Sequence, residues 1–203
     1  MTASAEARPR PGAVARVADV EAERLSLALL LDGLDHDAWR TPSLCAGWTV
    51  KDVAAHLALA DHEFVRTLLR VARARGDFDA VTADMARELA ARSSPADLVA
   101  RIRSTAGSPR RFPFSGALDP LTDVLVHGQD IARPLGLARP IAVDLAVAAL
   151  ENVRTSAFYG ARRRLAGMRM LAVDADWSAG DGPDVVRRPA ADLLLLLTGR
   201  EIP

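Results

Sequence analysis

A single cysteine, Cys45, stands in the 203 residues, so an intramolecular disulfide is excluded, and so is a tetrathiolate zinc site. Lysine is as scarce: Lys51 is the only one, and arginine carries the rest of the positive charge. Set beside so much alanine, this reads as the bias of a GC-rich coding sequence and carries no function. Neither sign of charge is in excess, Lys+Arg and Asp+Glu standing at 26 each, so nothing in the net charge recruits nucleic acid or a membrane surface. The run Leu193 to Leu197 is far too short to span a bilayer. Residues 1–12 lack the apolar core of a signal peptide, and the expectation is a cytoplasmic protein. There is no internal repeat and no low-complexity tract.

What is present is globular: half the residues are hydrophobic and a quarter charged, in a chain long enough to bury a sizeable core. Residues 14–34 read as a long amphipathic helix with Val17, Val20, Leu25, Leu27, Leu29, Leu30 and Leu34 as a broad apolar stripe. A loop over 41–48 leads to a second helix over 50–74, with Thr49 as its cap and Asp52 as the capping-box partner. Two shorter helices follow over 79–91 and 95–105, the latter capped by Ser94 with Pro95 at its first position. A further helix is expected over 143–165, with Asp144 at the positive end of its dipole. From Gly167 the pattern changes. Residues 168–174 alternate as a strand, 180–183 form a turn, and 184–187 pair back as a second strand. Pro189 then opens a last helix over 190–197, closed by Gly199. The expected fold is therefore mainly α, a helical bundle (residues 1–166) with a small α/β module of a short β-hairpin plus helix (167–203) packed on it.

The stretch from Asp119 to Pro134 holds the densest chemistry. Asp119 serves as N-cap, Pro120 fits the first helical position and Pro134 marks the end. On this helix Asp123 and His127 stand at i and i+4, and Asp130 follows at i+7 on the same face. His56, set among Val53, Ala54, Ala55 and Leu57, points into the bundle, an uncommon place for an unpaired imidazole. If its helix packs on the Asp119–Pro134 helix, His56, Asp123 and His127 supply two histidines and a carboxylate, a donor set that suits catalytic zinc and other divalent metals. Asp130 then acts as the acceptor that orients an imidazole. Spacing alone equally admits a buried polar network without metal. Of the other histidines, His62 reads as a rim residue and His36 as solvated. Arg110, Arg111 and Arg133 are candidates for holding carboxylates or the polar groups of a cofactor. Trp48 and Trp177 read as packing residues that can wall a pocket. Cys45 reads as a small loop residue, although its place just before a helix favours the thiolate.

The motif Cys45-Ala46-Gly47-Trp48-Thr49-Val50-Lys51-Asp52-Val53-Ala54-Ala55-His56-Leu57 resembles the start of the second helix in the actinobacterial mycothiol-dependent maleylpyruvate isomerase-like family. That family's bundle is similar to the DinB-like metal-binding four-helix bundle. His127-Gly128-Gln129-Asp130-Ile131-Ala132-Arg133-Pro134-Leu135-Gly136 resembles its second hallmark, and the segments 174–183 and 197–200 resemble its C-terminal module. The resemblance implies a divalent metal, usually zinc, held by His56, Asp123 and His127. It also implies a low-molecular-weight thiol, mycothiol, as co-reactant, activated as the thiolate by the metal. Where the isomerase branch has Glu, this chain has Asp123, one methylene shorter. The implied function is a metal- and thiol-dependent isomerase or S-transferase acting on a small electrophile. A non-catalytic or regulatory metal-binding bundle and a metal-dependent hydrolase are the alternatives. Substrate, metal identity and oligomeric state are not read from the sequence.

Overall fold

The computed structural model describes residues 12–59, 70–71, 78–108 and 116–202. The protein is mainly helical with one small sheet. The helices are α1 (Gly12–Asp32), α2 (Val50–Leu59), α3 (Phe78–Arg92), α4 (Pro95–Ser104), α5 (Asp119–Ala132), α6 (Val143–Thr155), α7 (Ala161–Arg164) and α8 (Ala190–Leu197). Among the described residues a 3-10 turn spans Ala38–Arg40. The part of the expected second helix between 60 and 69, its end near Gly76, His62, Arg110 and Arg111 lie outside the described residues.

Local chemistry sets several of these boundaries as expected. Thr49 and Asp52 exchange the two hydrogen bonds of a capping box, Thr49 N to Asp52 Oδ2 at 2.9 Å and Asp52 N to Thr49 Oγ1 at 3.3 Å. Ser94 and Asp97 repeat the motif at α4, with Pro95 in the first turn. At α5 the cap differs from expectation. Asp119 is already helical, and its carboxylate reaches back to accept the Gly116 N–H instead of capping forward.

The apolar stripe of α1 is rotated relative to the one drawn from the sequence. Val17, Leu25 and Leu29 are exposed, and the buried face runs through Val20, Arg24, Leu27, Ala28 and Leu31. A leucine-rich helix has several possible stripes, and packing on α4 and α5 selects one.

Helix α5 is the spine. Leu121, Leu125 and Val126 enter one core with Ala149, Leu150 and Val153 of α6, Leu193, Leu194 and Leu197 of α8, Met170 and Trp177. Val124 and Ile131 enter a second core with residues of α1, α2, α3 and α4. Nearly every non-polar side chain of α5 is thereby committed, so its polar stripe is held at fixed rotation.

Two expectations for the C-terminal part are corrected. The helix expected over 143–165 is broken: α6 ends at Thr155, Ser156 is extended, and Gly160, with φ +66°, adopts a left-handed conformation before α7. The Thr155 hydroxyl bonds back to Glu151 O at 2.8 Å, a competitor of the helix ladder at the break. The sheet also has three strands, β1 (Met168–Ala172), β2 (Ser178–Ala179) and β3 (Asp184–Arg188), in the order β2-β1-β3. The antiparallel partner of β1 is β2, whereas β3 lies parallel to β1, with Met168 opposite Asp184. Glycine makes this crossing possible. A Cβ on Gly182 would stand 2.0 Å from Gly167 C, and one on Gly180, at φ +82°, would stand 2.2 Å from Met168 O.

One clamp ties the α5–α6 connection to α1. Arg139 lies across Gly128 and donates to Glu23 Oε2 at 2.6 Å and to Ser26 Oγ at 3.0 Å. A Cβ at position 128 would come 2.5 Å from Arg139 Nε. Overpacking costs about 1–3 kcal/mol, whereas alanine in place of a helical glycine returns about 1 kcal/mol. Gly128→Ala is therefore expected to lower stability in urea unfolding, and in an Arg139→Ala background the same change should become neutral or stabilising.

Candidate functional site

Packing of α2 on α5 brings His56 to Asp123 and His127. His56 Nε2 and His127 Nε2 each lie 3.4 Å from the same oxygen, Asp123 Oδ1. The two imidazoles meet edge to face, with ring centroids 4.8 Å apart, and Trp48 leans on His56 at 5.6 Å. Exposure grades along the stripe: Asp123 retains 34% of its side-chain surface, His56 23%, His127 13% and Asp130 none.

Asp130 is the fixed point. Its Oδ2 accepts from His127 Nδ1 at 2.8 Å, from Arg200 Nη2 at 2.7 Å and from the Cys45 thiol at 3.1 Å, while Oδ1 accepts from Arg200 Nε at 3.0 Å. With Nδ1 of His127 held by the Asp130 carboxylate, its Nε2 is the nitrogen that faces Asp123.

Local backbone chemistry delivers each partner. Cys45 sits in a loop closed by Val50 N to Thr41 O at 2.9 Å and pinned to α5 by Leu44 N to Asp130 O at 3.2 Å. Arg200 follows a Schellman turn at the end of α8, in which Arg200 N bonds Leu195 O at 2.9 Å and Gly199 N bonds Leu196 O at 3.0 Å. Gly199 takes φ +87° in that turn, as a C′ glycine should.

The charges follow the geometry. Burial pushes the Asp130 carboxyl up, but the His127 hydrogen bond and the Arg200 ion pair outweigh it and hold the group well below the carboxylate range. Burial likewise opposes ionisation of Asp123. The hydrogen bond from His56, the charges of both histidines and that of Arg24 bring it down to about 2. The pKa of His56 is raised: burial lowers it, and the Asp123 partner more than compensates. Cys45 is pushed up to about 12, chiefly by burial and then by the Asp130 charge, so it remains a thiol and a donor. Its place just before α2 does not lower its pKa.

Of the other candidates, Arg133 is turned to Gln129 Oε1 at 2.9 Å and to Asp192 at 2.5 Å, so its donors serve α8. His36 is exposed. Trp177 is a core residue whose Nε1 donates to Glu151 at 2.7 Å. The site contains a residue that the sequence reading did not single out, Arg200, and the charge of Arg24 on α1 acts on Asp123. A buried arginine has no periodic signature of its own, but Arg24 falls on the inward stripe of α1, where an arginine is anomalous.

The donor set fits a divalent cation by its spacing. A nitrogen and a carboxylate oxygen sharing a tetrahedral zinc at about 2.0–2.1 Å stand about 3.3–3.4 Å apart. Both Nε2–Oδ1 separations are 3.4 Å, long for a charge-assisted hydrogen bond. His56 Nδ1, the nitrogen turned away from Asp123, is buried without a partner among the described residues. A second group, Cys45, His127 and Asp130, also has ligand atoms close together, but Arg200 already occupies Asp130 from both sides.

Residues 20–113 match the family described as mycothiol maleylpyruvate isomerase N-terminal domain. The match contains Cys45, Trp48 and His56 and ends before Asp123 and His127. The chain is similar to an uncharacterized protein of Mycobacterium tuberculosis found in two strains, at 29% identity covering 91% of this chain and 84% of that protein. No solved structure matches. Among the described residues no helix is long and apolar enough to cross a membrane.

The sign of the Asp130 effect is fixed by its depressed pKa. Its stabilisation is complete above the unfolded value of about 3.9 and is lost as pH falls through that value toward the folded one. Asp130→Asn strands the Arg200 guanidinium and is expected to cost about 3–5 kcal/mol at pH 7. Urea unfolding as a function of pH should show the gap to wild type narrowing below about pH 4. A gap constant with pH would remove Asp130 from its place as the charged anchor.

Proposed function

From a chain whose residues 20–113 match the mycothiol maleylpyruvate isomerase N-terminal domain, we propose a divalent-metal-dependent enzyme that uses a low-molecular-weight thiol. It acts as an isomerase or S-transferase on a small electrophilic substrate. The observation that carries the reading is the convergence of two imidazole Nε2 atoms on one oxygen of Asp123.

His56, Asp123 and His127 hold the cation, with zinc the best match to two nitrogens and a carboxylate. When bound, such an ion stabilises thiolate over thiol and so supplies a nucleophile at neutral pH. The residues of this chain do the rest. Asp130 keeps His127 Nδ1 protonated and its Nε2 free, with Arg200 bracing the carboxylate. Trp48 covers the His56 ring and limits water on that side. Cys45, held as a thiol against Asp130, is not the nucleophile, which favours an external thiol.

Protein purified without chelator is expected to carry about one equivalent of divalent metal by elemental analysis. His56→Ala and His127→Ala should each weaken zinc binding at least tenfold, about 1.4 kcal/mol or more. Turnover of an electrophile should require added thiol. Full activity in metal-free protein would end the proposal, and metal-dependent hydrolysis without thiol would replace it with a hydrolase.

A further inference from the structure

The two imidazoles face one carboxylate oxygen alike and differ on their other side. His127 Nδ1 bonds Asp130 Oδ2 at 2.8 Å, and Arg200 donates to both oxygens of that carboxylate, through Nε at 3.0 Å and Nη2 at 2.7 Å. A carboxylate engaged in this way only accepts, so the bond places a proton on His127 Nδ1. His56 has no such support. Its Nδ1 is buried and has no hydrogen-bond partner among the described residues.

The surroundings of His56 account for that difference. Its neighbours on α2, Val53, Ala54, Ala55 and Leu57, are buried apolar residues, and Trp48 packs on the ring with centroids 5.6 Å apart. An N–H placed at Nδ1 loses its water and gains no acceptor, the costly way to bury a donor. At Nε2 the same proton has Asp123 Oδ1 within reach at 3.4 Å. The single proton of neutral His56 therefore belongs on Nε2. Ligation of a metal through Nε2 needs the opposite arrangement, with the proton on Nδ1 and an acceptor to hold it. His127 already has that form, whereas His56 has to move its proton to a buried nitrogen that lacks an acceptor.

We propose that the two histidines of this face rest in opposite tautomers and are unequal ligands: His127, with its proton on Nδ1, is the strong donor, and His56, with its proton on Nε2, is the weak one. Asp130 is the positioning residue that makes the difference, since it fixes one ring and has no counterpart at the other. The ranking of the ligands rests on the reading of this face as a metal centre. The assignment of the tautomers does not.

Long-range proton–nitrogen correlation NMR of the metal-free protein, at a pH where both rings are neutral, reads the tautomers directly. Wild type is expected to show His56 protonated on Nε2 and His127 on Nδ1, and added zinc should move the His56 proton to Nδ1. Zinc titration then compares His56→Asn with His127→Asn, the latter retaining an amide donor for Asp130 while losing the ligand nitrogen. His127→Asn should weaken zinc binding at least about tenfold more than His56→Asn. Thermal unfolding reports whether each variant folds, and the wild-type spectra decide the question if one does not. A proton on His56 Nδ1 in the metal-free protein, or equal losses in the folded variants, overturns the inference and leaves the metal reading standing. Wild type that binds no zinc ends the metal reading and the ranking with it, while opposite tautomers in the metal-free spectra still uphold the first half.

Discussion

A fully buried carboxylate holds this architecture together. Asp130 has no exposed side-chain surface, yet it stays ionised, which is tolerable only because donors from three separated parts of the chain converge on it. His127 comes from its own helix, Cys45 from the loop before α2, and Arg200 from the turn after α8, 70 residues further along the chain. Its backbone carbonyl also accepts the Leu44 N–H. The candidate site is therefore completed by the C-terminal segment. The bundle and its small α/β appendage share one electrostatic anchor as well as one apolar core.

The polar stripe of α5 gains its shape from what closes each end. At the C-terminal end Asp130 is sealed by Arg200 and Cys45. At the N-terminal end Asp119 accepts from Asn152 Nδ2 at 2.7 Å and from the Tyr159 hydroxyl at 3.2 Å. Between these ends Asp123 and His56 retain 34% and 23% of their side-chain surface.

Much of this was legible in the sequence, and the misses have specific causes. Capping boxes at Thr49 and Ser94 are local chemistry, visible without tertiary information. The grouping of Asp123, His127 and Asp130 follows from helical spacing, and His56 stood out as an imidazole among apolar residues. The inward stripe of α1 was misjudged because Leu25 and Leu29 are as apolar as Leu27 and Leu31, and hydrophobicity cannot choose between overlapping stripes. Arg24 was hidden by that error. Arg200 was hidden because its role depends on a turn geometry and on a partner 70 residues away. The parallel placement of β3 was missed because it depends on how the chain passes Gly167, which strand alternation does not encode.

The packing of α2 on α5 also sets what the carboxylate at position 123 can reach. An aspartate extends one methylene less than a glutamate from the helix, so a shared site needs α2 to approach α5 more closely. Both Nε2–Oδ1 separations are equal at 3.4 Å, so Asp123 is centred between the imidazoles rather than strained toward one. Lengthening the side chain alone would press a carboxylate against two rings already 4.8 Å apart, with Asp130 preventing His127 from turning away.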